Sequence, residues 1–279
     1  MGRKLLIGTA ITAAALGALT AYAIAPAKAS KEKAAPFKNK YFAHRGLHSG
    51  DGNTPENSLA AFKAAAEKGF GIELDVHLTT DNEVIVFHDD DLKRMCGVDR
   101  ATFDLSYDEI KELSLLNTEH KIPLFTEVLK VYNGAGPMVL EIKTCPRKYE
   151  LCEKVLELLN DYEGDVCIES FDPRIVGWWK KNAPQYLRGQ LAQQYKKYDG
   201  QPKILAFMLA NSLTNFIARP HFIAYNLGKK PLLTRLSEKM GALKFNWTVR
   251  SKEEEAKVDG IIFEKYEPES TDFASDNEK

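Results

Sequence analysis

From Tyr41 onward the chain is a succession of nine short apolar runs of β-forming residues, several of them ending on charged side chains, with helical patterns between most of them. The runs are Tyr41–His44, Gly71–Val76, Val84–His88, Met138–Ile142, Val166–Glu169, Leu187–Leu191, His221–Tyr225, Leu243–Val249 and Val258–Phe263. Strands that alternate with helices predict a parallel sheet with helices packed outside it. A chain of 279 residues has room for one α/β barrel of roughly 250. The expected fold class is therefore α/β, a TIM-type (β/α)8 barrel over residues 38–268, with a polar tail at 269–279. Nine candidates for eight barrel positions mean that at least one lies outside the ring.

The helix after the first strand has the clearest signals. Thr54 is placed to cap it, Pro55 suits its first turn and Gly69 its end, while Leu59, Phe62 and Ala66 share one face. Further helical patterns cover Tyr107–Leu113, Phe125–Tyr132, Tyr149–Leu159, Pro173–Lys181 and Ser251–Lys257. The apolar run Ile204–Ile217 reads as a buried helix, with bilayer contact as the alternative.

Residues 1–37 are of a different kind. Arg3 and Lys4 precede an uncharged stretch, Leu5–Ala27, which at ~1.5 Å per residue is long enough to cross a hydrocarbon core of ~30 Å. Ala27-Lys28-Ala29 before Ser30 resembles a signal-peptide cleavage site, but the apolar run exceeds the usual ~7–15 residues of a signal core. An N-terminal hydrophobic helix retained as a membrane anchor, with the barrel outside the cytoplasm, is the expectation; secretion after cleavage is the alternative. Cys96, Cys145, Cys152 and Cys167 form no C-x-x-C pair and read as small buried hydrophobes. A net charge of −1 lacks the basic excess of a nucleic-acid binder, so no nucleic-acid partner is expected.

In a barrel of this kind the C-terminal strand ends build the active site, and four segments here carry suitable chemistry. His44-Arg45-Gly46 supplies a proton-transfer group beside a phosphate clamp. Glu73 and Asp75 alternate with apolar neighbours and so share a face. Two carboxylates inside a barrel repel unless a cation lies between them, and a hard divalent metal suits oxygen ligands. Glu141 and Lys143 add a third carboxylate and a cation on one face of another strand. The fourth segment is a hairpin. A two-residue turn at Asp81-Asn82 places Asp75 directly opposite His88, an inference that a one-residue change of register reverses.

Taken together, these segments resemble the glycerophosphodiester phosphodiesterases, barrel enzymes related to phosphatidylinositol-specific phospholipases C. The resemblance rests on His44-Arg45-Gly46, Pro55-Glu56-Asn57 with Ala61-Phe62, Glu73 and Asp75, Thr79/Thr80-Asp81 through His88-Asp89, and Glu141 with Lys143. Looser matches follow at Ser170-Phe171, Trp247-Thr248-Val249 and Asp259-Gly260-Ile261-Ile262. Asn82 stands where the family often has Gly, and Arg250 departs from its last Asn. The resemblance implies that Glu73, Asp75 and Glu141 hold Ca2+ or Mg2+, that His44 and His88 are the general acid and base, and that Arg45 and Lys143 contact the phosphate. It also implies that Trp247 lines the substrate pocket, the alternative being a core position. The implied activity is metal-dependent hydrolysis of glycerophosphodiesters to glycerol phosphate and an alcohol. A lysophospholipase D or phosphate-cyclising lyase acting on membrane lipids is one alternative, and an inactive membrane-tethered binding protein is another.

Overall fold

The computed structural model describes residues 2–49 and 52–273, with side chains from Thr12 onward. Its strands are β1 (Lys40–His44), β2 (Gly71–Leu78), β3 (Val84–Val86), β4 (Met138–Ile142), β5 (Val166–Ser170), β6 (Leu187–Ala192), β7 (Phe222–Asn226), β8 (Leu243–Val249) and β9 (Gly260–Phe263). The helices are α1 (Gly2–Ile24), α2 (Lys31–Ala34), α3 (Leu59–Lys68), α4 (Lys93–Cys96), α5 (Tyr107–Ile110), α6 (Phe125–Tyr132), α7 (Lys148–Leu159), α8 (Pro173–Asn182), α9 (Lys203–Ala210), α10 (Asn215–Ala218) and α11 (Leu232–Lys239). The sheet runs β1-β9-β8-β7-β6-β5-β4-β2, and β1 pairs with β2 to close the ring. All eight ring strands are parallel, so the fold is a TIM-type barrel.

Period-two alternation divides each strand between two cores. Ile72, Leu74 and Val76 of β2, with Met138, Leu140 and Ile142 of β4, face the outer helices in one large cluster. Phe42, Val139, Cys167, Phe222 and Phe245 fill the barrel interior below the site, with Phe222 stacked on Phe245 at 4.5 Å between ring centroids. Gly189 makes room for this layer, because a Cβ there would lie 2.1 Å from the Phe222 ring. The next inward residues up the strands are the polar ones, which places the carboxylates at the barrel mouth.

The ninth candidate is β3, antiparallel to β2 and outside the ring. It occupies the edge of β2 that β1 leaves free beyond His44: β1 pairs with Gly71–Glu73 and β3 with Val76–Leu78. The hairpin register differs from the expected one. Val76 pairs with Val86 and Leu78 with Val84, and Phe87 rather than His88 stands opposite Asp75, donating its N–H to the Asp75 carbonyl at 3.0 Å. The cause is Asn82, whose φ of 69° adds a left-handed residue and makes the loop three residues long, Thr80 to Asn82.

Other local expectations shift for similar reasons. The helix after β1 is capped by Ser58, whose Oγ accepts the Ala61 N–H at 3.2 Å, not by Thr54. Asn57 at φ 56° interrupts any earlier start, while Gly69 at φ 71° ends the helix as expected. Ser251–Lys257 contains only a 3-10 turn, Lys252–Glu254. Ile204–Ile217 is divided between α9 and α10 and is not buried throughout, since Ile204, Phe207 and Phe216 are exposed. All four cysteines are unpaired, three of them buried. Part of the polar tail is tied down: Tyr41 donates to the Thr271 carbonyl at 3.1 Å, and the Phe273 ring packs edge-on against Tyr41 at 5.1 Å. At the other end, α1 carries much of the expected anchor, but the side chains of residues 2–11 lie outside the described ones. Among the described residues no helix is long and apolar enough to cross a membrane.

Candidate active site

β1 delivers His44, and the chain turns at once through Arg45 (φ 56°) and Gly46 (φ 78°). Glycine is required at the second position, because a Cβ would lie 2.8 Å from Ala61 Cβ. The turn folds Arg45 back over the mouth. Its backbone N–H donates to Glu73 Oε2 at 3.2 Å, its Nη1 donates to Glu56 Oε1 at 2.6 Å, and its Nε lies 3.7 Å from Asp75 Oδ2. Glu73 and Asp75 come from β2, Glu141 from β4, and Lys143 follows β4; Lys143 Nζ lies 3.3 Å from Asp75 Oδ1 and 3.2 Å from Glu141 Oε1. Asn57 Nδ2 donates to Asp75 Oδ2 at 3.0 Å. One carboxylate oxygen from each of Glu73, Asp75 and Glu141 lies within 4.8 Å of the others. This all-oxygen donor set fits a hard divalent cation.

Two imidazoles meet this cluster. His44 Nδ1 lies 2.9 Å from Glu264 Oε2, and its Nε2 lies 3.9 Å from Glu73 Oε2. His88 Nδ1 lies 2.6 Å from Asp89 Oδ1. A carboxylate on Nδ1 assigns the proton there and leaves Nε2 free for proton transfer. His88 reaches the site despite the shifted register because β3 ends at Val86, beyond which strand alternation no longer applies. Phe87 packs into a side cluster with Ile85, while His88 lines the mouth.

His44, Arg45, Glu73, His88, Glu141, Lys143 and Trp247 line one cavity of about 620 Å³, with Asp75 buried beside Lys143. The structure thus brings all the predicted site residues together. Trp247 donates its Nε1–H to the Ala224 carbonyl at 2.9 Å and packs edge-on against Phe171 at 5.7 Å.

The electrostatics are those of crowded, buried acids. Burial, followed by repulsion from Asp75, Glu169 and Glu141, pushes Glu73 well above the usual carboxylate range. Burial also raises Glu141. For Asp75 burial acts upward too, but Lys143, His88, Arg45 and the Asn57 hydrogen bond outweigh it and hold the group well below its usual value. Burial pushes His44 down to about 4, against the opposing pull of Glu264. Glu264 itself is held down to about 2, first by its hydrogen bond to His44.

Three acids beyond the predicted residues, Glu169, Glu264 and Glu56, also belong to the site. Glu169 is 1% exposed, lines the same cavity, pairs in register with Glu141, and has an Oε2 without a hydrogen-bond partner. Glu169 ends a predicted strand and Glu264 directly follows one, so the strand-end rule applied throughout the barrel finds both. Glu56 bridges Arg45 and Arg94 across sequence distances that carry no local signal.

The sequence profile of the glycerophosphoryl diester phosphodiesterase family matches residues 44–267. A glycerophosphodiester phosphodiesterase of Caldanaerobacter subterraneus subsp. tengcongensis is 34% identical over 243 residues, covering 81% of this chain and 94% of that protein. Among solved structures, a glycerophosphodiester phosphodiesterase of Thermotoga maritima aligns with a TM-score of 0.60 at 29% identity, covering 80% of this chain and 93% of that one. An Oleispira antarctica phosphodiesterase in complex with the product sn-glycerol-3-phosphate aligns with a TM-score of 0.66 at 21% identity, covering 82% and 94%, and shares the fold. With its catalytic-type strand ends gathered in one barrel mouth and the profile matched over most of its length, the chain belongs to the glycerophosphoryl diester phosphodiesterase family.

Proposed function

We propose that Glu73, Asp75 and Glu141 hold a divalent cation, Ca2+ or Mg2+, for the hydrolysis of glycerophosphodiesters to glycerol phosphate and an alcohol, with His44 and His88 as the proton-transfer pair. The observation that carries this reading is the presence of two imidazoles, each oriented by its own carboxylate, on one cavity with the acidic triad. Arg45 and Lys143 bind the phosphoryl oxygens from the same cavity. When bound, the cation supplies Lewis-acid stabilisation of charge building on those oxygens. His44, held neutral by burial, accepts a proton from the attacking hydroxyl. His88, at the more exposed side of the mouth, starts protonated and donates that proton to the leaving alkoxide as the P–O bond to the alcohol breaks. Trp247 and Phe171 form the wall on which the substrate lies.

The test is a panel of glycerophosphocholine, glycerophosphoethanolamine and glycerophosphoinositol, read by product mass with and without Ca2+ or Mg2+. Release of glycerol phosphate that needs the metal supports the reading. Absence of turnover in metal-loaded protein restores the alternative of an inactive binding protein. The apolar N-terminal segment supports a further element of the proposal, a tether that keeps the barrel at a membrane outside the cytoplasm. Protease accessibility of the barrel in intact cells tests that placement.

A further inference from the structure

Of the two imidazoles at the mouth, His88 is the one the barrel holds less directly. It lies beyond the end of β3, which stops at Val86, and 33% of its side chain is exposed. Its Nδ1 meets Asp89 Oδ1 at 2.6 Å, and what holds Asp89 is Arg94 on α4. Arg94 Nε donates to Asp89 Oδ2 at 2.6 Å and Arg94 Nη2 donates to Asp89 Oδ1 at 3.0 Å, so both carboxylate oxygens are fixed.

The other edge of the same guanidinium takes a second carboxylate. Arg94 Nη1 donates to Glu56 Oε2 at 3.0 Å and Nη2 donates to Glu56 Oε1 at 2.7 Å. Two bidentate contacts on one planar group are a geometry that a lysine ammonium does not reproduce. Glu56 Oε1 also accepts from Arg45 Nη1 at 2.6 Å, and Arg45 Nε lies 3.7 Å from Asp75 Oδ2. With His88 protonated, His88, Asp89, Arg94, Glu56, Arg45 and Asp75 form one row of alternating charge. The proton donor stands at one end of it and the phosphate clamp near the other.

Arg94 does not itself line the active cavity. Its backbone is set from behind, because Leu92 and Met95 on either side of it are buried in the side cluster with Phe87. The same segment is tied to Asp89, whose carbonyl accepts from the Thr102 hydroxyl at 3.1 Å. Burial pushes both acids of the row upward. For Asp89 the hydrogen bonds of His88 and Arg94 outweigh it, and for Glu56 those of Arg94 and Arg45, with their charges, do the same. Both are held below the ordinary carboxylate range and stay ionised at neutral pH.

We propose that Arg94 is a positioning residue for protonation of the leaving group: it fixes Asp89, and through Asp89 the His88 ring, in one frame with the phosphate clamp Arg45. The proposal rests on the reading of His88 as the general acid. A proton donor contributes only within hydrogen-bond reach of the leaving oxygen, and a misplacement of about 1 Å costs about 100-fold. Arg45 binds the phosphoryl oxygens and so sets where the leaving oxygen lies. Arg94 sets the imidazole by the same reference, through Glu56.

The test measures kcat on glycerophosphocholine and on the p-nitrophenyl diester of glycerol phosphate, in metal-loaded wild type, Arg94→Met, Arg94→Lys, His88→Ala and the double variant Arg94→Met with His88→Ala. Choline leaves as an alkoxide that needs a proton, whereas p-nitrophenolate leaves without one. Arg94→Met is expected to lower kcat on glycerophosphocholine by about 10- to 100-fold, with a loss at least about tenfold smaller on the nitrophenyl diester. In the His88→Ala background the same substitution is expected to cost no more than about twofold further. Arg94→Lys keeps a charge between the two acids but loses the fork. It is expected to show a smaller loss with the same selectivity, and it carries the comparison if Arg94→Met does not fold. Equal losses on both substrates, or losses that multiply in the double variant, overturn the positioning role; if His88→Ala alone remains selective for glycerophosphocholine, the hydrolytic reading stands. If His88→Ala loses both substrates equally, or wild type cleaves neither, the reading of His88 falls and takes the role of Arg94 with it.

Discussion

His44 Nδ1 lies 2.9 Å from Glu264 Oε2, across the junction where β9 closes onto β1. The pair joins residues 220 apart in sequence and sets the tautomer of the imidazole. Burial drives His44 down to about 4, and the Glu264 hydrogen bond is the largest influence opposing it. Glu264→Gln keeps an acceptor and removes the charge, so the His44 pKa falls further. A base works above its pKa and is lost as pH falls through it. The acid limb of kcat/KM therefore moves to lower pH, and kcat drops by about 10- to 100-fold, the usual cost of losing a partner that orients an active imidazole. An unmoved acid limb rejects His44 as the base.

Lys143 is the cation between Asp75 and Glu141. Lys143→Met leaves buried carboxylates without it, at a cost of about 3–5 kcal/mol to the metal-free protein. Denaturant midpoints with and without Ca2+ or Mg2+ measure this loss. The divalent ion is expected to recover part of the stability while kcat stays at least about 100-fold down, because the phosphate contact is still missing.

Glu169 is an acid whose pKa burial raises well above its ordinary 4.5. The folded state then holds its proton where the unfolded chain has lost it, so stability is full below about pH 4.5 and declines as pH rises. Glu169→Gln removes that decline. The metal-free variant is expected to be more stable than wild type at pH 7 to 8, with the advantage vanishing below about pH 4. Chemical denaturation across that range checks the sign, and an advantage that grows on acidification contradicts it.

Gly46→Ala tests the turn that places His44 and Arg45. The added Cβ meets Ala61 at a backbone φ of 78°, which is expected to cost about 1–3 kcal/mol. A lowered Tm accompanied by loss of turnover is the predicted outcome. A variant with normal Tm and rate shows that the turn is not constrained as described.

The barrel and most of its site were legible from the sequence because parallel barrel strands are buried on both faces. A charged residue in such a strand, such as Glu73 or Glu141, has nowhere to go but the mouth. The hairpin register was not legible. It depends on whether Asn82 adopts a left-handed conformation, and the expected pairing of Asp75 with His88 proved to be a pairing with Phe87. Ser58 displaced Thr54 as the cap because Asn57 turns left-handed to aim its amide at Asp75, a tertiary demand that local propensity does not contain. α9 escaped the reading as a separate helix because it has no polar face for a 3.6-residue period to reveal.

The central claim is that Glu73, Asp75 and Glu141 form a metal site on which phosphodiester hydrolysis depends. The most direct measurement is a titration of chelated protein with Ca2+ and Mg2+ that follows bound metal by equilibrium dialysis and glycerophosphocholine turnover together, in wild type and in Glu73→Ala. Turnover is expected to rise in step with bound metal in wild type, and Glu73→Ala to lose both. Full turnover in excess chelator, or undiminished metal binding by Glu73→Ala, contradicts it.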